Sequence, residues 1–289
     1  MQGERVDFSC GWIRNRVHWR ILKDFRSSTF WSYARNSWCH GGEKMKAIVV
    51  EDLEKDYGKV KALKGISFEV KEGEIFGLIG PNGAGKSTTL KILATLLVPT
   101  GGRAEIFGYD VVEEAEEVRK LISYLPEEAG AYKNLTGYEY LEFMAKLYAK
   151  TGKDYKKMLE TGVELSGLGE RLKDRISTYS KGMTRKLLLA RALMVEPKLA
   201  ILDEPASGLD IINAYSIRQT IKQFAREKGI TFLLSSHNML EVEFLCDRVA
   251  LINKGRIVEI GTPKELKEKY NAENLEEVFM SIVGGKKVE

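Results

Sequence analysis

From Met45 onwards, short apolar segments alternate along the chain with segments in which apolar residues recur at helical spacing. KAIVVEDL and GISFEV are rich in β-branched residues and predict strands, and EGEIFGLIG predicts a buried strand. LAILDEP, ITFLLSS and RVALINKGRIVEIG predict further strands, and helical segments separate several of them. This order predicts an α/β protein with a mixed or mostly parallel sheet and a short β-rich N-terminal part.

Residues 136–195 have a different pattern, because helix follows helix there without a convincing strand between them. GYEYLEFMAKLYAK and DYKKMLETGVEL both carry apolar residues at helical spacing. The simplest interpretation is a helical subdomain of about residues 136–195 that is inserted into the α/β core.

The first 44 residues differ in composition from the rest of the chain. They hold all four tryptophans, six Arg and two Lys, whereas the remaining residues hold ten Arg and 27 Lys. No helical or strand period persists in this leader, so we expect little regular structure there. A basic aromatic segment can bind membranes or nucleic acid, but we favour an upstream extension of the reading frame, with MKAIVVEDLEKDY as the natural start. The predicted domain is therefore 45–284, with a tail at 285–289.

Charge and composition exclude several classes of protein. Residues 45–289 hold 37 basic and 37 acidic residues, which argues against a broad nucleic-acid-binding face. The three cysteines are too few and too scattered for a disulfide framework or a zinc site. No run approaches the roughly eighteen apolar residues of a membrane-spanning helix, and the N-terminus lacks the apolar core of a signal peptide. We therefore expect a cytosolic protein that reaches a membrane only through a partner.

The strongest chemical motif is GPNGAGKS, which fits the pattern G-x-x-x-x-G-K-[ST]. It follows a predicted strand and precedes the predicted helix STTLKILATLL, which is the context that a phosphate-binding loop requires. Backbone N–H groups of such a loop surround the β-phosphate, Lys86 reaches the β and γ oxygens, and the Ser87 hydroxyl binds Mg²⁺. The residues expected to contact nucleotide here are Gly80, Pro81, Asn82, Gly83, Ala84, Gly85, Lys86, Ser87 and Thr88.

Two other predicted strands deliver polar side chains to the sheet edge at which open α/β sheets bind ligands. The apolar run LAIL precedes Asp203 and Glu204, and these adjacent carboxylates can divide the work. Asp203 can bind Mg²⁺, while Glu204 can polarise the attacking water. His237 follows ITFLL in the same way. A lone histidine is more often an ordinary core or surface residue, but in combination with the other motifs we expect Lys86, Glu204 and His237 to take part in hydrolysis.

A third motif, YSKGM at residues 179–183, stands where a long helix is predicted to begin. The first turn of a helix has unpaired N–H groups and a positive dipole end, so a Ser and a Gly there favour an anion. The phosphate loop is complete without this segment. YSKGM therefore either starts an ordinary helix or binds a phosphate that belongs to another subunit.

In this order the motifs resemble those of the ATP-binding cassette family, the nucleotide-binding subunits of ABC transporters, over about residues 45–284. The resemblance implies that YSKGM corresponds to the family's signature, usually LSGGQ, and that Ser180 and Gly182 contact the γ-phosphate of ATP held by an opposing subunit. ELSGLGERL spells a closer match to LSGGQ, but the charged ERLKDR overlaps and follows it. YSKGM instead opens the helix that runs into LAILDEP, and we assign the signature to it.

The resemblance also gives roles to Tyr57, Glu127 and Asp210. Tyr57 corresponds to the aromatic residue that stacks on adenine, although an aromatic residue at a strand edge is the alternative. Glu127 replaces the family's usual glutamine; its carboxylate can face Mg²⁺ but adds negative charge near the γ-phosphate. Asp210 ends SGLD, which matches the dimer-contact loop. Departures from LSGGQ, together with NLEEVFMSIVGG, resemble the exporter-type branch of drug-resistance and ABC-2 cassettes.

The resemblance thus implies an ATPase subunit of an ABC transporter that binds ATP and Mg²⁺. A second copy would pair with it head to tail, and together they would drive a separate membrane-spanning permease from the cytoplasmic face of the membrane, without nucleic acid. The alternative is a soluble ABC-type ATPase that acts on DNA or ribosomes, but the helical insert lacks the heptads of long coiled coils and only one cassette is found. A binding module without hydrolysis is opposed by Glu204.

Overall fold

The structure is a computed structural model and describes residues 45–284. The predictions for residues 1–44 and for the tail at 285–289 lie outside the described residues. The strands are β1 (Lys46–Asp56), β2 (Lys61–Lys71), β3 (Ile75–Ile79), β4 (Gly101–Ile106), β5 (Tyr109–Asp110), β6 (Ile122–Leu125), β7 (Leu199–Asp203), β8 (Thr231–Ser236), β9 (Arg248–Asn253) and β10 (Arg256–Gly261). The helices are α1 (Lys86–Leu93), α2 (Ala115–Leu121), α3 (Gly137–Tyr148), α4 (Gly152–Ser166), α5 (Lys181–Leu193), α6 (Ile211–Lys228), α7 (Met239–Leu245), α8 (Pro263–Tyr270) and α9 (Leu275–Val283).

The larger sheet positions the candidate site, and its strand order is β10-β9-β3-β8-β7-β6. All neighbours in it are parallel except β9 and β10, which pair antiparallel. Every residue of β3, β7 and β8 is buried, because helices or a second sheet cover both faces. The predicted α/β fold with a mixed, mostly parallel sheet is confirmed.

Two hydrophobic clusters fill the space on the two faces of this sheet. β3 contributes to both, because its alternate side chains point to opposite faces: Phe76 and Leu78 to one cluster, Ile75 and Ile79 to the other. The first cluster also contains residues of α1 and of the antiparallel sheet β2-β1-β4-β5, and the second contains residues of α5 and α6. The antiparallel sheet is the β-rich N-terminal part that the sequence predicts.

Three strands escape the sequence patterns. β4 reads GGRAEI, with two glycines, β5 has two residues, and β6 has four. β4 and β6 are defined by pairing with strands distant in sequence, β4 with β1 and β6 with β7, and β5 is defined by pairing with the neighbouring β4, rather than by their own composition. RVALINKGRIVEIG, in turn, forms two strands, β9 and β10, with a turn between them.

Residues 136–195 contain α3, α4 and α5 with short 3-10 turns at Gly169–Lys173 and Ile176–Thr178. Thr136 begins α3 with a capping box, in which its Oγ1 accepts from the Glu139 N–H at 3.2 Å and its own N–H donates to the Glu139 carboxylate at 2.7 Å. Helices follow one another here as the sequence predicts; the bounds of a separate subdomain stay a prediction. Within residues 45–284 no helix has both the length and the apolar character needed to cross a membrane.

Candidate functional site

The predicted phosphate loop connects the end of β3 to the start of α1. Gly85, the residue before α1, has φ +113°, a conformation that side chains rarely adopt. A Cβ atom on Gly85 would also lie 2.7 Å from a methyl group of Leu63 and 2.9 Å from the Ala62 carbonyl oxygen. The loop therefore needs glycine at this position, both for its turn and for its close packing against β2.

The Lys86 side chain is hydrogen-bonded to the backbone of this loop. Its buried ammonium group donates to the carbonyl oxygen of Gly80 at 2.7 Å and to that of Pro81 at 3.3 Å. The loop itself therefore holds the Lys86 side chain in place, beside the position at which the loop is predicted to bind phosphate groups.

Asp203 and Ser87 meet at the end of β7. Asp203 Oδ1 accepts a hydrogen bond from the Ser87 hydroxyl at 3.2 Å and another from the Ser235 hydroxyl at 2.6 Å. Hydroxyl and carboxylate oxygens are the ligands that Mg²⁺ prefers, and it commonly takes one or two from protein and the rest from phosphate and water. Among residues 45–284 no group of three or more His, Cys, Asp or Glu side chains could hold a metal by itself. The donor set fits a magnesium ion shared with a nucleotide.

Glu204 lies directly beside the loop lysine. Its carboxylate is buried, with Oε1 3.5 Å from the Lys86 ammonium nitrogen and Oε2 2.9 Å from Nδ1 of His237. Within the described residues Oε1 has no hydrogen-bond partner, so it contacts the lysine through charge alone. Glu204 has φ +48°, which is unusual for a residue with a side chain. Lys86, Glu204 and His237 thus converge beside the phosphate loop, and their predicted part in hydrolysis stays a prediction.

A second cluster forms around the start of α5. The Ser180 hydroxyl accepts from the Met183 N–H at 3.2 Å, so Ser180 is the N-cap of this helix. Gly182 lies against α6, where an added Cβ would be 2.6 Å from the amide nitrogen of Asn213. Asp210 is the N-cap of α6 and accepts from the N–H of Asn213 at 3.0 Å and from its side-chain amide at 2.6 Å.

This second cluster is separate from the phosphate loop. No hydrogen bond or ion pair within residues 45–284 links Ser180, Gly182 or Asp210 to Lys86 or Glu204. The LSGLG sequence at 165–169 has another position: it ends α4, where Gly167 adopts φ +58° as the C-cap. YSKGM, not LSGLG, therefore opens the helix that leads to β7.

Comparison with known proteins decides the family. The family model described as ABC transporter matches residues 63–207. The chain is 41% identical over 234 residues to the linearmycin resistance ATP-binding protein LnrL of Bacillus subtilis, covering 81% of this chain and 75% of LnrL. It is 38% identical over 229 residues to the bacitracin transport ATP-binding protein BcrA of Bacillus licheniformis, covering 79% of this chain and 74% of BcrA. The chain belongs to the ABC transporter family.

A solved structure of an ATP-binding subunit of an ABC transporter agrees. It has a TM-score of 0.73 and 31% identity to this chain, covering 82% of this chain and 99% of that one. The prediction of an ATP-binding and ATP-hydrolysing subunit of an ABC transporter is confirmed, and no comparison favours a DNA- or ribosome-acting ATPase.

Tyr57 and Glu127, to which the sequence resemblance gives roles, are both exposed. Tyr57 follows β1 in the hairpin to β2, is 54% exposed, and has the Lys55 ammonium 5.3 Å from its ring centroid. Glu127 follows β6 and is exposed, and its carboxylate makes no hydrogen bond or ion pair within the described residues. Assignment of Tyr57 to adenine and of Glu127 to Mg²⁺ therefore stays a prediction.

The sequence patterns do not single out two residues that shape this ABC site. Ser235 lies in the fully buried β8, donates to Asp203, and accepts from the Glu204 N–H at 3.0 Å. Arg185 is 8% exposed and its guanidinium lies beneath the turn that follows β7. A serine after the apolar run of a buried strand and an arginine on the apolar side of a helix are the available sequence indications, because buried polar groups need partners.

Proposed function

We propose that two copies of this chain bind two ATP molecules with Mg²⁺ between them, head to tail, and that hydrolysis drives a separate membrane-spanning permease of the exporter type. The observation that carries the proposal is the convergence of Lys86, Glu204 and His237 on a complete phosphate loop, while Ser180 and Gly182 lie in a separate cluster. Each chain would therefore contribute its phosphate loop to one ATP site of the dimer, and Ser180 and Gly182 to the other.

Within one half-site the residues divide the chemistry. Lys86 binds β- and γ-phosphate oxygens, and Glu204, next to it, orients and polarises the attacking water. His237, held by Glu204 Oε2, lies half exposed at the same strand edge and can contact the γ-phosphate. Ser87 and Asp203 would hold Mg²⁺, which neutralises charge on the phosphate oxygens when bound.

The other half-site supports a second copy as the partner. Ser180 is exposed at the N-terminus of α5, where a phosphate from outside the chain can approach. Next to Asp210, the side chains of Ile211 and Ile212 are 85% and 78% exposed, and such apolar exposure is typical of a contact surface. Tyr57, on the hairpin next to the phosphate loop, would stack on the adenine, and Glu127 would face the metal from the loop after β6.

A permease as the further partner is supported by an exposed apolar patch on α3 and the loop before it. The Tyr132 and Phe143 rings are 5.9 Å apart edge to face, and both are exposed. Leu147 lies one helical turn after Phe143 and is also exposed, so the patch consists of Tyr132, Phe143 and Leu147. A patch of this kind on a subunit without a described membrane helix suits a membrane-embedded partner at the cytoplasmic face. The linearmycin-resistance and bacitracin-transport relatives support export as the direction.

The test is purification of the affinity-tagged chain from detergent-solubilised membranes of the cells that produce it naturally. We expect a polytopic membrane protein to co-purify, and to be lost from the Phe143→Ser, Leu147→Ser variant while ATPase activity of the free subunit persists. A matched control is Leu240→Ser, Phe244→Ser, which changes the same two residue types at exposed positions on α7. Equal retention in both variants would contradict the proposed surface, and absence of any membrane protein would contradict the permease.

A further inference from the structure

Arg185 makes an unusual set of contacts for a buried charged residue. Its Nε donates to the Pro205 carbonyl oxygen at 2.9 Å, and its Nη2 donates to those of Asp203 at 2.7 Å and Glu204 at 3.0 Å. Its Nη1 donates to the carbonyl oxygens of Pro126 at 2.8 Å and Glu127 at 3.2 Å. One guanidinium therefore joins α5 to two other segments, the turn after β7 and the loop after β6.

These carbonyl groups need such a donor because the chain leaves the sheet at both places. Buried carbonyl oxygens must be paired, and the φ of +48° at Glu204 turns the backbone out of strand geometry immediately after Asp203. Arginine carries five N–H donors in a rigid plane, so one side chain can satisfy several divergent acceptors. No carboxylate within the described residues forms an ion pair with Arg185. Burial lowers the pKa of its guanidinium, and nearby Asp203, Glu127 and Glu204 oppose that effect.

Glu204 is thereby held on both sides of its Cα atom. Its N–H donates to the Ser235 hydroxyl at 3.0 Å, and its carbonyl oxygen accepts from Arg185 at 3.0 Å and from the Ser207 N–H at 3.3 Å. Its carboxylate then meets Lys86 and His237. A left-handed backbone persists at a residue with a side chain only when its surroundings impose it, and here Arg185 supplies one of three hydrogen bonds to the Glu204 backbone.

We propose that Arg185 is a positioning residue for hydrolysis, which fixes the turn that carries Glu204 and links it to the loop at Glu127 and to the helix that begins with YSKGM. This rests on the proposed role of Glu204. Arg185 itself does not contact the nucleotide, so its removal should impair the orientation of the water-polarising carboxylate and spare ATP binding by Lys86 and the phosphate loop.

The experiment is Arg185→Lys, which keeps the charge but offers a single ammonium that cannot reach five carbonyl oxygens. We expect kcat to fall by ~10²-fold, the loss typical of a catalytic group displaced by about 1 Å, while Kd for ATP changes less than threefold. Arg191→Lys is the matched control, because Arg191 lies on the same helix and donates to the Tyr124 carbonyl oxygen in β6, but within residues 45–284 to neither of the two segments that Arg185 joins. This control should keep wild-type kcat.

Combination with Glu204→Gln separates this inference from the proposed function. If Arg185 acts through Glu204, Arg185→Lys should lower single-turnover hydrolysis far less in the Glu204→Gln background than in the wild type. Full additivity of the two effects on hydrolysis would overturn the inference, and so would an unchanged kcat in Arg185→Lys. A joint loss of ATP binding and turnover would also overturn it, since that result indicates a general structural role. Wild-type turnover in Glu204→Gln alone would instead contradict the assigned role of Glu204.

Discussion

Replacement of Glu204 by Gln removes one negative charge from the centre of the site and leaves its shape almost unchanged. At 3.5 Å and an effective dielectric constant of 20, the lost attraction to Lys86 amounts to ~5 kcal/mol before desolvation is counted. Desolvation of both charges offsets part of this attraction, but loss of the carboxylate alone leaves the Lys86 ammonium buried without a counter-ion, so we expect the free energy of unfolding to fall. The chemical effect is different, because an amide cannot accept the proton of the attacking water. Loss of a general base lowers turnover by ~10²–10⁴-fold, or about 3–5 kcal/mol in the barrier.

Phosphate release at saturating ATP measures this effect, and equilibrium binding of ATP together with thermal unfolding controls for binding and stability. Glu74→Gln is the matched control, since Glu74 is equally buried and its carboxylate lies 3.2 Å from Arg248 at the other end of β3, away from the phosphate loop. We expect Glu74→Gln to shift Tm and keep turnover, and Glu204→Gln to keep ATP binding and lose turnover. Turnover of Glu204→Gln within about twofold of wild type, equivalent to ~0.4 kcal/mol, would refute the assignment of the base.

Two other predictions follow from the positions of single elements. Tyr57→Ala should weaken ATP binding by the isolated subunit by roughly 5- to 150-fold, because one base-stacking contact is worth ~1–3 kcal/mol. Tyr215→Ala removes a similarly exposed ring on α6 and should bind ATP as the wild type does in the same titration. Deletion of residues 1–44 should leave ATP affinity and Tm nearly unchanged, since the leader is assigned no core contacts; a fall of several degrees in a melting curve would show that the tryptophans pack on the domain.

The sequence predicts those parts of the fold that local patterns encode. Buried parallel strands are continuous apolar runs, and LAILDEP and ITFLLSS therefore identify β7 and β8 and the side chains at their ends. β4 and β6 are not recognised, because their strand character arises from pairing with β1 and β7 after the chain has folded.

The residues of the site likewise include some that the sequence predicts and some that it does not. Lys86, Ser87, Asp203 and Glu204 stand in spaced motifs, so their convergence could be predicted. Arg185 lacks such a motif, because its importance comes from backbone carbonyl groups of distant segments, and backbone conformations such as the φ of +48° at Glu204 are not visible in residue types. The roles of Tyr57 and Glu127 stay predictions, because both residues are exposed and their proposed partners, a nucleotide and a metal ion, lie outside the chain.

The N-cap at Ser180 needs a control before its trans role can be tested. Ser180→Ala removes a helix cap, which costs ~1 kcal/mol of local stability whether or not Ser180 binds phosphate. Thr151→Ala removes an equivalent cap from α4, where the Thr151 hydroxyl oxygen accepts from the Asp154 N–H at 3.2 Å, and should keep full turnover. A specific effect of Ser180→Ala on ATP-driven dimerisation and hydrolysis would therefore report phosphate contact.

Mixing two impaired subunits tests most directly whether each ATP lies between two chains. In a head-to-tail dimer of Lys86→Ala with Ser180→Ala, one composite site carries both changes and the other carries neither. With random exchange of subunits in an equimolar mixture, half of the dimers are mixed, and half of the sites in those dimers are intact. If one intact site can act alone, the mixture should therefore recover about a quarter of wild-type turnover. Turnover of the mixture no higher than the mean of the two separate variants, together with hydrolysis that does not depend on subunit concentration, would contradict the composite site.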